Sequence, residues 1–206
     1  MTLALRFLFS PKVTSSVNEH WLRPYAYWFS HQKSNESLFR RVSFPDVTPR
    51  FTPNFHLVEQ DFLTLPIPST ERSDNLALKW SANQLSSEGY DFIVTLFFID
   101  TSLDVFATMK HIYTLLRPGG SWINLGPLLW TGGAQAKVEL SLDEVLLAAE
   151  KIGFVIQNEA HARRTIECEY TSDPDAMMRM IYKAEFWVAK KPETRWHSGG
   201  DHMTVL

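Results

Sequence analysis

The sequence predicts an α/β fold, the second half of a doubly wound domain with a mostly parallel sheet and closing antiparallel strands. Three observations predict it. The stretch "YDFIVTLFFID" (90–100) is a continuous apolar run rich in Val, Ile and Phe, as expected of a strand covered on both faces of a parallel sheet. Two amphipathic helices with start and stop signals follow, on either side of a second short apolar strand. Two more strand-like stretches complete the order strand, helix, strand, helix, strand, strand.

Taken from the N-terminus, residues 1–10 read as a helix. Residues 11–54 mix Pro, Ser, aromatics and charge without a sustained period, which predicts a long ordered loop with short helical turns. "NFHLVEQDF" reads as a short strand ending at Asp61, and "SDNLALKWSANQLSSEGY" as a helix or irregular crossover. In "TSLDVFATMKHIYTLL", Leu103, Phe106, Met109, Ile112, Tyr113 and Leu116 share one helical face. Thr101 can cap that helix, with Asp104 three residues on, and Pro118-Gly119-Gly120 can stop it. "SWINLG" is the next buried strand. "SLDEVLLAAEKIGF" is a helix with a Ser141–Glu144 capping box and Gly153 at its end. "FVIQNEAHARRTIECEY" and "IYKAEFWVAKK" are two strands joined through "DPDAMM". This gives one domain over 1–192, made of a long segment 1–54 and an α/β core 55–192, then a flexible tail 193–206.

Composition limits the function. The hydrophobic content is 45% and the charged content 21%, which is ordinary globular material. The net charge of -3 argues against a nucleic-acid partner. The longest apolar run is too short to span a membrane. Arg6 interrupts the apolar start, and no small-residue cleavage site follows, so the start reads as helix rather than signal peptide. A single cysteine, Cys168, fits a reducing compartment and a structural role. No histidine pair has metal-ligand spacing, and no Ser or Cys stands in a nucleophile elbow. Arg40-Arg41 and Arg163-Arg164 read as solvated surface, and "AMMRM" as core packing. Asp100 closes "FFID" at the rim where such sheets hold ligands. It can be a helix cap or a functional carboxylate.

The blocks "YDFIVTLFFIDTS", "LLRPGGSWINLGPLLW", "ELSLDEV" and "EYTSDPDAMM" together resemble the carnosine N-methyltransferase family. The resemblance is strongest from Tyr90 to Pro192, and "FPDVTP" and Asp61-Phe62 extend it upstream. It implies the C-terminal part of a class I, Rossmann-like methyltransferase fold. It also implies S-adenosylmethionine as methyl donor. The first glycine is Gly89, so no Gly-rich cofactor turn precedes it, and the first cofactor-binding βαβ unit is missing relative to the family.

The implied reaction is N-methylation of an imidazole or amine in a small peptide-like molecule, a carnosine-type histidine dipeptide by default. The alternative is a truncated, inactive remnant that serves as a binding or dimerisation module. By the resemblance, Asp100 orients the substrate imidazole. Thr131 stands where the family has a histidine, Tyr170 and Tyr182 match two substrate tyrosines, and Met180 replaces a third. The two tyrosines can equally be half-buried strand aromatics. Asp61 and Phe62 match an adenine-contacting pair, and Leu96 stands where a cysteine lines the cofactor. The expected partner is a small molecule or short peptide, with a second copy of the chain as a further candidate. The expected location is cytoplasmic, with the nucleus as a second compartment.

Overall fold

A computed structural model describes residues 2–27, 31–67, 89–171 and 173–193. The predicted crossover over 73–90 lies almost wholly outside the described residues, and so does nearly all of the tail. Contacts divide the chain into two compact units. One holds residues up to 61 and from 167 to 182; the other holds most of the remainder.

The first unit begins with helix α1 (Thr2–Phe9), as expected. The predicted loop contains more structure than its composition suggested. Strand β1 (His20–Leu22) pairs antiparallel with β2 (Val42–Phe44), and helix α2 (Asn35–Phe39) lies between them in sequence. The Ser37 N–H donates to the Ser34 Oγ at 3.1 Å and caps α2. Aromatic contacts replace periodic apolar burial here, which is why no period was visible. Phe9 packs on Phe51 at 4.5 Å and on Phe55 at 5.4 Å. The His20 ring sits 4.8 Å from Phe7 and 5.7 Å from Phe44.

No strand forms at "NFHLVEQDF". The Phe55 N–H bonds the Thr52 carbonyl at 3.0 Å and turns the chain where Phe55 joins that cluster. Arg40 is not a solvated charge. It pairs with Asp173, and with Asp175 at 3.1 Å, while its guanidinium lies 3.9 Å over the Tyr25 ring. The "AMMRM" stretch is not core either, since Met177 is 67% exposed.

The second unit carries the α/β architecture. Strand β3 (Tyr90–Leu96) leads through helix α3 (Val105–Leu115) to strand β4 (Leu116–Gly126), and helix α4 (Leu142–Ile152) follows. Strands β5 (Val155–Ile156), β6 (Arg163–Glu169) and β7 (Ile181–Lys190) close the chain order. The single strand expected from Phe154 to Tyr170 is therefore two. The sheet order is β3-β4-β7-β5, with β6 also on β7. It is a mixed sheet of the expected α/β class. Its parallel part, in the described residues, is the β3–β4 pair; β7 runs antiparallel to β4 and β5.

Alternation along β4 decides which face carries the core. Trp122 and Asn124 are fully buried, and Ile93 and Thr95 stand beside them in register. On this face Trp122 meets Trp187 at 4.5 Å and Phe154 at 5.4 Å, and the apolar residues of α3 and α4 pack over them. The Trp122 Nε1–H donates to Thr95 Oγ1 at 2.8 Å, and Thr95 donates to Asn124 Oδ1 at 2.8 Å, so this buried polar chain is satisfied. Among the described residues, nothing covers the opposite face of β3. Phe92, Val94 and Leu96 are each about two-thirds exposed. The expectation of cover on both faces fails because a continuous apolar run reports the strand's chemistry and not what packs on it.

Three further details differ from the sequence reading. Asp104, not Thr101, caps α3, its Oδ1 accepting from the Ala107 N–H at 3.0 Å. The Lys137 ammonium at 2.6 Å, helped by that N–H, holds the Asp104 carboxyl below the usual carboxylate range. The buried stripe of α3 runs through Val105, Thr108, Met109, Ile112 and Leu115, leaving Leu103 and Phe106 largely outside. Finally, α3 stops at Leu115, before Pro118-Gly119-Gly120. The Lys191 ammonium donates to the Tyr113 and Leu116 carbonyls at that helix end. Pro-Gly-Gly instead bulges β4, so that Tyr90 to Phe92 face Leu116 to Ser121.

Helix α4 matches the sequence closely, with both halves of the Ser141–Glu144 capping box formed. Gly153 ends it at φ 120°, and a Cβ there would lie 3.0 Å from the Tyr113 hydroxyl. Gly153→Ala is expected to destabilise the unit by about 1–3 kcal/mol, measured by chemical denaturation.

Candidate functional site

The carboxyl ends of β3 and β4 lie side by side, Leu96 opposite Leu125. Beyond them the backbone is tightly constrained. Phe97 takes φ 49°, and its N–H bonds the Leu125 carbonyl at 2.8 Å. A Cβ on Gly126 would come within 3.1 Å of the Phe97 Cα, so glycine lets the two chains meet. A 3-10 turn, Ile99–Thr101, follows, so Asp100 lies in this turn rather than at the strand's end. Across from it runs Pro127–Thr131, with Trp130 at φ 42°. Two non-glycine residues in the left-handed region at one rim mark stored strain of the kind found at binding sites.

Asp100 joins the two segments. Its Oδ2 accepts from the Leu129 N–H at 3.0 Å, and its carbonyl accepts from the Thr131 N–H at 3.0 Å. The residue is only 5% exposed. Its other oxygen, Oδ1, accepts no hydrogen bond among the described residues. A nearly buried carboxylate with one oxygen fixed and one unbonded is suited to receive an N–H from a ligand. The Trp130 Nε1–H donates to the Leu140 carbonyl at 2.8 Å and secures the far end of the loop.

The other candidate residues fall into two groups. In the second unit, Thr131 is exposed and held by its backbone to Asp100. Leu96 is 63% exposed on the bare face of β3. Phe62 stands edge-on to Phe98 at 5.3 Å and to His111 at 5.2 Å, so it reaches the segment leading into the Asp100 turn. In the first unit, Tyr170 and Tyr182 pack edge to face at 5.3 Å, and Asp61 belongs to the same unit.

Sequence reasoning missed the Leu129 amide and the left-handed Phe97 and Trp130. The Gly126-Pro127 pair signalled a constrained turn, but no residue type signals φ above zero at a Phe or a Trp. Among the described residues, no group of three or more His, Cys, Asp or Glu could hold a metal ion. No described helix is long and apolar enough to cross a membrane.

Comparison with known proteins gives these features a setting. The family model described as "Carnosine N-methyltransferase" matches residues 1–193. A carnosine N-methyltransferase of Drosophila melanogaster is 28% identical over 94% of this chain and 39% of its own length. The Mus musculus carnosine N-methyltransferase is 29% identical over 87% of this chain and 41% of its own length. This chain thus spans less than half the length of these relatives. A SAM-dependent methyltransferase structure from Methanosarcina mazei aligns with a TM-score of 0.42 at 12% identity, over 65% of this chain and 66% of that one. With the family model covering nearly every residue, the chain belongs to the carnosine N-methyltransferase family.

Proposed function

We propose that this polypeptide serves S-adenosylmethionine-dependent N-methylation of an imidazole or amine in a small peptide-like molecule, a carnosine-type histidine dipeptide by default. Asp100 is the supporting observation, one oxygen tied to Leu129 and the other without a hydrogen bond among the described residues. In such a reaction the donor supplies an electrophilic methyl group. An imidazole that donates its N–H to Asp100 Oδ1 presents its other nitrogen as the nucleophile. The carboxylate orients the ring, stabilises the positive charge that develops on it, and can accept the proton that must leave. Because the Leu129 amide holds the carboxylate, little reorganisation accompanies the reaction.

Among the described residues, Leu96 and Phe62 offer the donor apolar contact. Asp61, Phe62 and Leu96 therefore stay proposed contacts, as do Thr131, Tyr170 and Tyr182 on the substrate side. The single, unpaired Cys168 suits the proposed cytoplasmic or nuclear setting. The test is incubation with S-adenosylmethionine and carnosine, followed by mass spectrometry for methylated product. Thr131 sets a second expectation. The hydroxyl is shorter than a histidine and neutral at physiological pH, so Thr131→His is expected to raise kcat/KM for carnosine relative to bulkier amines in a competition assay. An unchanged ratio removes position 131 from specificity.

The bare face of β3 favours a second reading, a binding or dimerisation module without catalysis. No methylated product from well-folded chain, together with self-association in analytical ultracentrifugation, would support it.

A further inference from the structure

The stretch "RRVSF" (40–44) carries a signal that the proposed reaction does not use. Arg40 and Arg41 precede Ser43 at the third and second positions before it, and the apolar Phe44 follows. Kinases that select basic substrates read this pattern by charge, their acidic side chains meeting the arginines and an apolar pocket taking the next residue.

The first unit presents Ser43 for such a reaction. The residue lies in β2, whose neighbour among the described residues is β1, so the outer edge of an already extended chain can be approached. Ser43 is exposed, and its hydroxyl makes no hydrogen bond among the described residues. Arg41 is exposed as well, whereas Arg40 is tied to Asp173 and Asp175, so a kinase meets Arg41 directly and Arg40 in exchange for those carboxylates.

The same face holds a receptor for the product. Ser43 pairs with Trp21 across the strands, which puts their side chains side by side. The Arg41 guanidinium lies 4.1 Å from the centre of the Trp21 ring, and that of Arg23 lies 5.3 Å from it. Neither arginine forms an ion pair among the described residues. Arg23 donates its Nε–H to the Phe39 carbonyl at 2.9 Å, which leaves its terminal nitrogens uncommitted. Glu19, two residues before Trp21, is turned instead to the Ser15 and Ser16 N–H groups at 2.6 and 3.0 Å. Two unpaired cations thus share a face with an unbonded hydroxyl.

We propose that Ser43 is phosphorylated by an arginine-selecting serine/threonine kinase, and that Arg41 and Arg23 then hold the phosphate. The γ-phosphoryl group of ATP passes to Ser43 Oγ. A P–O bond forms there as the bond to ADP breaks, and the hydroxyl proton leaves to a base of the kinase. The product carries roughly two negative charges and strong acceptor oxygens. Held by Arg41 beside β2 and Arg23 beside β1, it ties together two short strands that have little cohesion of their own.

The test uses the full chain, ATP and the catalytic subunit of cyclic-AMP-dependent protein kinase, with the phosphate mapped by mass spectrometry. Ser43 is expected to be modified in the folded chain, and Ser43→Ala to remove that signal. Arg41→Gln is expected to slow the modification on the order of tenfold. Phosphorus NMR then reads the arginines' part. The second ionisation of the phosphate, ordinarily near pH ~6, is expected to fall in the folded chain, because adjacent cations favour the dianion. It should return to the ordinary value in urea and move towards it in Arg41→Gln. No phosphate at Ser43, or phosphate only on unfolded chain, overturns the proposal. An ordinary ionisation in the folded chain overturns the role of Arg41 and Arg23.

Discussion

Asp100→Asn is expected to lower turnover of the active enzyme by about 10²–10⁴-fold, with little change in donor affinity. Asparagine keeps an oxygen that can accept the Leu129 N–H, and the main-chain bond to Thr131 does not depend on the side chain. The loop therefore keeps its shape. What is lost is the negative charge at the unbonded oxygen, which would accept a proton from the imidazole and stabilise its cation. Asp100→Ala provides the contrast. It removes the Leu129 clamp as well, so it should loosen the loop and lower stability along with turnover. Single-turnover rates together with denaturation midpoints separate the two effects. Asparagine turnover near that of the parent would reduce Asp100 to a structural clamp.

The largest expected effect on stability is at Trp122. The ring is wholly buried, packs on Trp187 and Phe154, and joins β4 to the helical layer. Trp122→Ala leaves a void that rigid strands on either side cannot close, and is expected to cost about 3–5 kcal/mol. It also leaves the Thr95 hydroxyl without its donor. Trp122→Phe fills most of the space and loses only the N–H, so a penalty of about 1–2 kcal/mol is expected. Urea denaturation followed by circular dichroism measures both. Near-parent stability in the alanine variant would show that the aromatic cluster is not the core of this unit.

The sequence was most legible where local chemistry decides. Helix α4 shows its start in Ser141 and Glu144, its apolar spacing, and its end in Gly153, and the structure uses all three. Strand β7 was equally readable from "IYKAEFWVAKK". Where distant partners decide, the reading failed. Thr101 and Asp104 can both cap a helix, and Lys137, far along the chain, accompanies the one that does. Pro118-Gly119-Gly120 looks like a helix stop, but Gly119 and Gly120 exchange backbone bonds with Lys191, which no local pattern shows. At the site, Asp100 stood out as a residue while its tie to Leu129 did not. Main-chain amides leave no trace in residue identity.

The uncovered face of β3 also bears on the chain's fate in a cell. Among the described residues, Phe92, Val94 and Leu96 form an uncharged, oily stripe on a strand paired on one side. Folding helpers and quality-control proteases recognise such stripes as signs of unfinished folding. Steady-state abundance would then depend on how quickly the stripe is covered, whatever the intrinsic stability of the core. Expression level, rather than catalytic rate, would be the first property to respond to a polar substitution at Val94.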